Sequence, residues 1–367
     1  MKIFTTSDWH FGIYPANLEK WLGMMEDYFH NYFIPYIKSN SENGDILIIC
    51  GDIYDNRTSI PIIISCAVEN ILISLSKILP VHIIVGNRDL YNKGSNDINS
   101  LRLFNHVNNI SVYTKTTTID FFGEKIVIMP WIEKRLDIIN ELKSNRGDYL
   151  FCHSDLKDCI THSNSSSNKN PDKIDISFFK DYKKVFSGHI HIRQIIDNFI
   201  FIGSPYQMHR SEMGSDKGIT ILDVSDGSVK FDSDKYSPVF GKIFIKTEDD
   251  ILNLKELKDS KDYIDLHISN SLIKNRKIRR KLEIIIEKIK FSSIEYINDI
   301  VDDISSDVVD DNKEISNIGG FDISIQLDYE EYIREYINNQ NYDNKLKFGI
   351  LSEYNDIIKI YNENYKN

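Results

Sequence analysis

Cysteine is scarce in this chain, and no two cysteines form a C-x-x-C pair. The four that are present are Cys50, Cys66, Cys152 and Cys159. Cys50 and Cys152 lie in apolar, strand-like runs, where a thiol is usually a small buried hydrophobic group. The sequence therefore predicts free thiols in a reducing compartment, and it argues against a disulfide scaffold.

Long hydrophobic runs are also missing. The longest are short pieces such as IPIII and ILIIC, far below the roughly 20 residues that a membrane-spanning helix needs. Met1 and Lys2 lead directly into IFTTSD, without the hydrophobic region of a secretion signal. We therefore expect a cytoplasmic protein that does not enter a membrane.

An excess of positive charge is absent as well. The formal net charge is −11 at pH 7, from 44 Lys and Arg against 55 Asp and Glu. This balance argues against a protein that coats nucleic acid by bulk electrostatic attraction. A local basic surface remains compatible with it, because net charge and the charge of one patch are different quantities.

Over its first two-thirds the sequence alternates apolar strand patterns with helical patterns. The main helical stretches are 18–38 and 62–79. The strand candidates are 3–8, 45–52, 81–87, 125–131, 149–154, 184–189, 199–205 and 218–224. Continuous apolar strands separated by helices predict an α/β fold whose sheet is covered on both faces.

The pattern changes after about residue 237. Residues 263–269, YIDLHIS, alternate like a strand, and 273–289 has the apolar spacing of an amphipathic helix. The first half of that helix is basic, with Lys274, Arg276, Lys277, Arg279, Arg280 and Lys281. Beyond Gly319 and Gly320, residues 328–362 have the Tyr and Ile spacing of a helical hairpin.

These changes divide the chain into three predicted parts. Residues 1–236 form the α/β domain, and residues 237–316 form a small α+β cap. Residues 317–367 form the C-terminal helical hairpin.

Side chains that can bind metal follow five of the predicted strands. They are Asp8, His10, Asp52, Asp55, Asn87, His153, His189 and His191. Ligand chemistry in α/β sheets gathers at the carboxyl ends of the strands. Carboxylates, imidazoles and one amide oxygen suit a pair of borderline divalent cations such as Mn²⁺, Fe or Zn²⁺. Two such ions, roughly 3.5–4 Å apart and bridged by a carboxylate, act in phosphoryl transfer.

The order of these motifs resembles the calcineurin-like dimetal phosphoesterases over roughly residues 1–225. The motifs are D-x-H, GDxxD, GN-x-D, a single His and GHxH. Later residues narrow the resemblance to SbcD-type nuclease subunits of double-strand-break repair, and especially to their phage recombination-endonuclease relatives. Those residues are Gly203, Ser204, Pro205, Ser211, Glu212, Lys217 and Gly218.

This resemblance implies a two-sheet metallophosphoesterase sandwich flanked by helices, with the cap and the hairpin appended. It implies two divalent ions, with Mn²⁺ the expected metal. One ion would take Asp8, His10, Asp52 and His191; the other would take Asp52, Asn87, His153 and His189, with Asp52 bridging. Asn87, Arg88 and Asp89 would form the catalytic loop, in which Asp89, like Asp55, orients metal ligands.

The chain departs from the family pattern at Arg88. The pattern reads Gly-Asn-His-Asp, and the resemblance implies that this histidine protonates or polarises the leaving oxygen. Arginine cannot donate a proton at neutral pH, since its pKa exceeds about 12. It can still bind a phosphate through two hydrogen bonds and neutralise developing charge. We therefore expect metal binding to be intact and hydrolysis to be weakened; a passive surface role for Arg88 is the alternative.

Three functional hypotheses remain open at this point. The leading one is a Mn²⁺-dependent DNA exonuclease or endonuclease subunit that works with an SbcC-type coiled-coil ATPase, in the cytoplasm or inside a virus-infected host cell. The resemblance also implies a homodimer. The cap would contact DNA and the hairpin would dock on the ATPase, although both could simply be solvated or packed on their own domain. The second is a small-molecule or nucleotide phosphoesterase. The third is a weakly catalytic scaffold subunit of the ATPase complex.

Overall fold

The apolar runs of the first two-thirds of the chain form two six-stranded sheets. The computed structural model describes residues 1–14, 17–92, 94–160, 173–257, 261–289 and 293–297. The first sheet has the order β14-β13-β1-β2-β3-β6, with β1 (Lys2–Thr6), β2 (Ile46–Ile49), β3 (Val81–Ile84), β6 (Ile110–Tyr113), β13 (Gly218–Asp223) and β14 (Ser228–Ser233). A small hairpin, β4 (Leu90–Asn92) and β5 (Ser95–Asn99), follows β3.

The second sheet has the order β11-β12-β10-β9-β8-β7. Its strands are β7 (Thr117–Phe121), β8 (Glu124–Met129), β9 (Tyr149–His153), β10 (Lys184–Gly188), β11 (Gln194–Ile196) and β12 (Phe199–Phe201). Four strands of each sheet run parallel to one another: β1, β2, β3 and the edge strand β6 in the first, and β8, β9, β10 and β12 in the second. The carboxyl ends of these parallel strands therefore lie along one edge of each sheet.

Alternating side chains of the central strands explain why both faces of each sheet are buried. In β2, Ile46 and Ile48 pack into a cluster that joins the two sheets, while Leu47 and Ile49 pack on the outer face. Tyr149 and Phe151 of β9 point into the same inter-sheet cluster, and its Leu150 and Cys152 lie in the outer cluster of the second sheet. Strands buried on both sides must be apolar at every position, which is the pattern the sequence shows.

Helices cover the two outer faces. They are α1 (Leu18–Tyr28), α2 (Ile34–Asn40) and α3 (Ile62–Ser76) on the first sheet, and α4 (Arg135–Ser144) on the second. The amphipathic spacing of α3 places Ile64, Val68, Ile71 and Leu75 in the core. The result is a helix–sheet–sheet–helix sandwich, and the predicted fold class is confirmed.

The structure differs from the sequence prediction at the edges of the sheets. The polar or short strands β4, β5, β6, β7, β11 and β14 lack a long apolar run and were not predicted. The predicted helix 18–38 is divided, because residues Phe29–Phe33 form a π-helical turn before Pro35, which lies in the first turn of α2. The segment stays helical through this turn, and the Ile34 N–H bonds to the Phe29 carbonyl. The wider π turn lies next to Pro35, which has no N–H to donate to the turn before it.

A third, three-stranded parallel sheet follows the sandwich. It consists of β15 (Phe240–Ile245), β16 (Tyr263–Ser269) and β17 (Ser293–Ile297), with α5 (Glu248–Asn253), α6 (Asn270–Ile273) and α7 (Arg276–Lys288) in the connections. In α7, Leu282 and Ile285 are buried in the same cluster as Leu266 and Ile268 of β16. The division of the chain at residues 236 and 316 stays a prediction, and the predicted hairpin at 317–367 lies outside the described residues.

The third sheet is tied to the segment that follows β12. Arg210 donates two hydrogen bonds to the Asp265 carboxylate, from Nε at 2.7 Å and from Nη2 at 2.9 Å. The Gln207 side chain accepts the N–H of Phe240 at 2.8 Å. These contacts fix residues 207–212, two of which lie at the candidate site. Among the described helices, none is long and apolar enough to cross a membrane.

Candidate metal centre

Loops at the carboxyl ends of five parallel strands bring the predicted metal residues together. Asp8 and His10 follow β1, Asp52 follows β2, Asn87 follows β3, His153 ends β9, and His189 and His191 follow β10. Donor atoms of Asp8, His10 and His191 lie within 4.8 Å of one another, and so do those of Asp52, His153 and His189. The structure thus brings six of the seven side chains into two groups, and Asn87 lies against His153 and His189 of the second.

Asp52 lies between the two groups. Its Oδ2 atom is 3.4 Å from Nε2 of His153 and 3.8 Å from Nε2 of His10. Its Oδ1 atom accepts the backbone N–H of Arg88 at 2.7 Å. A carboxylate oxygen that reaches imidazoles of both groups is in the position that a bridging ligand requires.

The other donors also converge in pairs. Oδ1 of Asn87 is 2.9 Å from Nδ1 of His189 and 3.0 Å from Nε2 of His153. Nε2 of His191 is 3.1 Å from Nε2 of His10. The amide oxygen of Asn87 and these ring nitrogens therefore point toward one another at the centre of the site.

The second ring nitrogen of every histidine has its own acceptor. The pairs are His10 Nδ1 with Asp55 at 2.9 Å, His153 Nδ1 with the Cys50 carbonyl at 2.6 Å, His191 Nδ1 with Glu212 at 2.8 Å and His189 Nε2 with Asp155 at 3.1 Å. Such partners fix the tautomer and the orientation of a metal-ligating imidazole. They leave the other nitrogen of each ring directed at the centre, where it can bind a cation in place of a proton.

Backbone geometry at the strand ends aims these side chains. Asp8, His10, Asp52 and His189 all have positive φ, at 54°, 50°, 54° and 82°. Non-glycine residues adopt this conformation rarely, and such outliers cluster at functional sites.

Glycine permits the close packing of two of these turns. A Cβ atom at Gly188 would lie 2.3 Å from the Cys50 carbonyl oxygen, and one at Gly51 would lie 2.6 Å from Nδ1 of His153. Gly51 also has a φ of +90°. Any larger residue would separate the strand ends that bring the two donor groups together.

Charge at the centre favours cations. Burial opposes ionisation of Asp52, but His153 and His10 outweigh it and hold the pKa of this carboxyl well below its usual range. Burial likewise opposes protonation of His10, yet the hydrogen bonds to Asp55 and Asp8 raise its pKa to about 10. For His153, the Asp52 carboxylate overcomes burial and raises the pKa to about 9. The ionised carboxylates stabilise positive charge on the neighbouring imidazoles, and the same negative charge attracts divalent cations, two of which the donor set fits.

Asp89 holds the backbone of the loops that carry Asp52 and Asn87. Its carboxylate accepts the backbone N–H groups of Asp52 at 2.9 Å, Ile53 at 3.1 Å, Tyr54 at 3.2 Å and Gly86 at 3.0 Å. It is 1% exposed and does not line the cavity over the centre. This position suits the orienting role that the resemblance implied for Asp89, and it does not suit direct contact with a substrate.

Arg88 faces the open side of the centre. A cavity of about 380 Å³ lies over the two donor groups, and Arg88 lines it together with Asp52, Asn87 and His191. The side chain of Arg88 is exposed, while its backbone is fixed by the hydrogen bond to Asp52. Residue 88 therefore projects into the space where a substrate would meet the centre.

Sequence reasoning missed several residues of the site. They are Asp155 and Glu212, which orient histidines, Trp131, whose ring centroid is 4.9 Å from that of His189, and Tyr14 and His209, which line the cavity. The sequence could have pointed to Asp155, because it lies two residues after His153, at the end of the same strand. Glu212 and His209 come from the segment after β12, and only the tertiary structure brings them to the centre.

We predict that Glu212→Gln weakens metal binding. Glu212 accepts hydrogen bonds from His191 Nδ1 and from the buried Lys217 ammonium, each at 2.8 Å. Loss of its charge should loosen His191 and lower Mn²⁺ affinity by about 10–100-fold, as measured by titration calorimetry. The exposed substitution Glu19→Gln on α1 is the control. Equal affinity in the natural protein and in Glu212→Gln would exclude this role.

A two-sheet α/β sandwich with carboxylates and imidazoles converging at its strand ends defines a class of proteins that hold paired divalent cations. The family model described as calcineurin-like phosphoesterase matches residues 1–193, more than half of the chain. The chain therefore belongs to the calcineurin-like phosphoesterases, a family that uses a dimetal centre for hydrolysis.

Individual proteins also resemble this chain. "Exonuclease subunit 1" of Enterobacteria phage T4 is 26% identical over 344 residues, which covers 91% of this chain and 92% of the relative. Two solved structures have weak likeness. A novel archaeal phosphodiesterase is 16% identical, covering 64% of this chain and 99% of its own, with a TM-score of 0.30. A protein of unknown function from Aquifex aeolicus is 15% identical. The match covers 52% of this chain and 79% of that protein, with a TM-score of 0.27. Both TM-scores are too low to support any conclusion.

Proposed function

We propose that this chain is the metal-dependent nuclease subunit of an SbcCD-like complex, and that it hydrolyses phosphodiester bonds of DNA. The observation that supports this most is the position of Asp52, shared by two donor groups beneath an open cavity that Arg88 lines. The likeness to a phage exonuclease subunit along nearly the whole chain points to the same chemistry.

The proposed ligands divide into two sets. Asp8, His10, Asp52 and His191 would hold one cation; Asp52, Asn87, His153 and His189 would hold the other. The mixture of nitrogen and oxygen donors suits Mn²⁺. When bound, the cations polarise a phosphoryl oxygen and lower the pKa of water enough to make it a nucleophile at neutral pH.

The protein's own residues then position and stabilise the phosphate. Arg88 can offer two N–H groups to phosphate oxygens and neutralise the charge that develops on them. Asp155 and Asp55 hold the rings of His189 and His10, so that these do not rotate when the substrate binds. Because Arg88 replaces a proton-donating histidine, hydrolysis should be slower than in relatives with that histidine, by up to the 10²–10⁴-fold that general acid catalysis typically contributes (about 3–5 kcal/mol).

The direct test is cleavage of linear and hairpin DNA in the presence of Mn²⁺, with and without the coiled-coil ATPase partner. We expect cleavage that chelators abolish and that the partner enhances. A clear preference for nitrophenyl phosphates, with no DNA cleavage in either condition, would instead favour the small-molecule phosphoesterase hypothesis.

The basic face of α7 is a proposed DNA contact of the cap. Arg276, Lys277 and Arg280 are exposed, while the opposite face of the helix packs through Leu282 and Ile285 on the third sheet. A binding measurement distinguishes a DNA contact from a face that is only solvated. Each phosphate contact contributes about 0.9 to the slope of log affinity against log salt for duplex DNA.

We predict that the triple substitution Arg276→Gln, Lys277→Gln and Arg280→Gln lowers affinity for duplex DNA by at least about tenfold at low salt and flattens that slope. Fluorescence anisotropy in chelator measures binding without cleavage. The matched control is the triple substitution Lys143→Gln, Arg146→Gln and Lys180→Gln, which removes three exposed charges before the amino ends of β9 and β10, opposite the metal centre. An equal effect of both triples would mean that α7 has no special role.

Partner docking is proposed for residues 317–367, on the Tyr and Ile pattern of the sequence, and a homodimer is proposed on the family resemblance. Co-purification with the ATPase, compared between the full chain and a chain that ends at residue 320, tests the docking. Continued co-purification of the shortened chain would exclude it. Light scattering of the full chain tests the homodimer.

A further inference from the structure

A second cavity adjoins the one over the metal centre. Its volume is about 530 Å³, and its walls are Asp55, Asn56, Arg57, Asn87 and Arg88. Asp55, Asn87 and Arg88 line both cavities. The two spaces therefore form one open groove that runs from the metal centre past Arg88 to Arg57.

The far end of this groove presents a guanidinium without a partner. Nε of Arg57 is buried from solvent and has no hydrogen-bond partner among the residues that the structure describes. The neighbouring carboxylate, Asp55, is engaged with His10 at 2.9 Å. Because Nε is closed off from solvent, a ligand in the groove would meet the terminal N–H groups of Arg57, whose side chain lines the cavity.

The loop that carries Arg57 is held in one conformation. Asp55 donates its backbone N–H to the Phe11 carbonyl at 3.1 Å. The Asn56 side chain accepts the N–H groups of Thr58 at 2.9 Å and Ser59 at 3.2 Å. The backbone is thus held on both sides of Arg57, two residues from the side chain that orients His10. This fixes the point from which the Arg57 side chain reaches the groove, so no loop has to be ordered when a ligand binds.

We infer that Arg57, together with Arg88, forms a subsite for the phosphate next to the scissile phosphate on a nucleic-acid strand. The inference rests on the proposed nuclease function. Guanidinium groups bind phosphate through paired N–H groups, and a polynucleotide presents phosphates in a regular row. A substrate with a single phosphate would occupy only the cavity over the metal centre. The subsite therefore favours polynucleotides over small phosphate esters.

The test compares two substrates that differ by one phosphate: the thymidine dinucleotide, which has one, and the trinucleotide, which has two. In Arg57→Gln, we expect KM for the trinucleotide to rise about tenfold, the size of one lost charge-assisted contact. KM for the dinucleotide and kcat for both should stay unchanged. Arg57→Lys should give a smaller rise, because it keeps the charge and loses the planar pair of donors.

A binding measurement gives a readout that is independent of catalysis. With labelled oligothymidylate in chelator, Arg57→Gln should flatten the slope of log affinity against log salt by about 0.7, the value for one phosphate contact on a single strand. The exposed Arg146→Gln is the matched control and should match the natural protein. Equal KM changes for both substrates, or no change in slope, would overturn the subsite. Failure of the natural protein to cleave either nucleotide, while it hydrolyses nitrophenyl phosphate, would overturn the proposed function instead.

Discussion

Replacing Asp52 by asparagine is expected to remove most divalent-ion binding and to lower DNA hydrolysis by roughly a thousandfold, the upper range for loss of one electrostatic contact in an active site. Asp52 is 2% exposed, and its Oδ2 atom reaches histidines of both donor groups. The substitution keeps an oxygen for the N–H of Arg88 but removes the charge that a bridging ligand supplies. The fold should survive, because a buried charge is lost and no volume changes.

Titration calorimetry with Mn²⁺ measures the stoichiometry directly. We expect two ions per chain in the natural protein and a large loss in Asp52→Asn. His189→Ala should also lose most binding, because it removes a donor from the second group. The control is Asp120→Asn, near the end of the edge strand β7, where asparagine can still accept the Gly123 N–H. Unchanged stoichiometry in both site variants would contradict the dimetal centre.

How much of the fold was predictable from sequence depended on where each strand lies. Central strands such as β2 and β9 are buried on both faces, so their sequences are apolar throughout and stand out. The edge strand β14 has no such run, since only one of its sides faces a core. Edge strands were missed for this physical reason.

The candidate site divides in a similar way. Asp8, Asp52 and His189 each come just after an apolar strand. Their position at the strand end, and so near the site, could therefore be predicted from the sequence. Glu212 reaches His191 from a segment after β12, and Arg57 faces the groove from a loop whose sequence, NRTS, is that of an ordinary turn. Their roles follow from tertiary contacts, which no local pattern encodes.

Arg88 lines the cavity over the metal centre, so its substitution should change catalysis without changing the centre. Its backbone is fixed by the hydrogen bond to Asp52, and Asn87 and Asp89 on either side have separate structural roles. A substitution at position 88 should therefore change what enters the cavity and leave the centre in place. Metal binding should be the same in all variants at this position.

We predict that Arg88→His raises kcat for DNA hydrolysis with Mn²⁺ by about tenfold or more, because an imidazole can donate a proton to the leaving oxygen and a guanidinium cannot. Arg88→Ala should lower kcat below that of the natural protein, since charge stabilisation is lost as well. The pH profile of the histidine variant should gain a descending limb near the ordinary imidazole pKa of about 6.5, moved by its surroundings. The natural protein should lack that limb. Steady-state kinetics over a range of pH measures both effects.

The matched control is Arg57→His, which places an imidazole in the same groove but away from the scissile phosphate. It should raise KM for polynucleotides without raising kcat, so a gain confined to position 88 would identify the leaving-group position. Equal rates for arginine, histidine and alanine at position 88 would mean that this side chain does not face the scissile bond. A lower rate in Arg88→His than in the natural protein would mean that the arginine belongs to a different mechanism. In that mechanism, neutralising charge on the phosphate would contribute more than protonating the leaving oxygen.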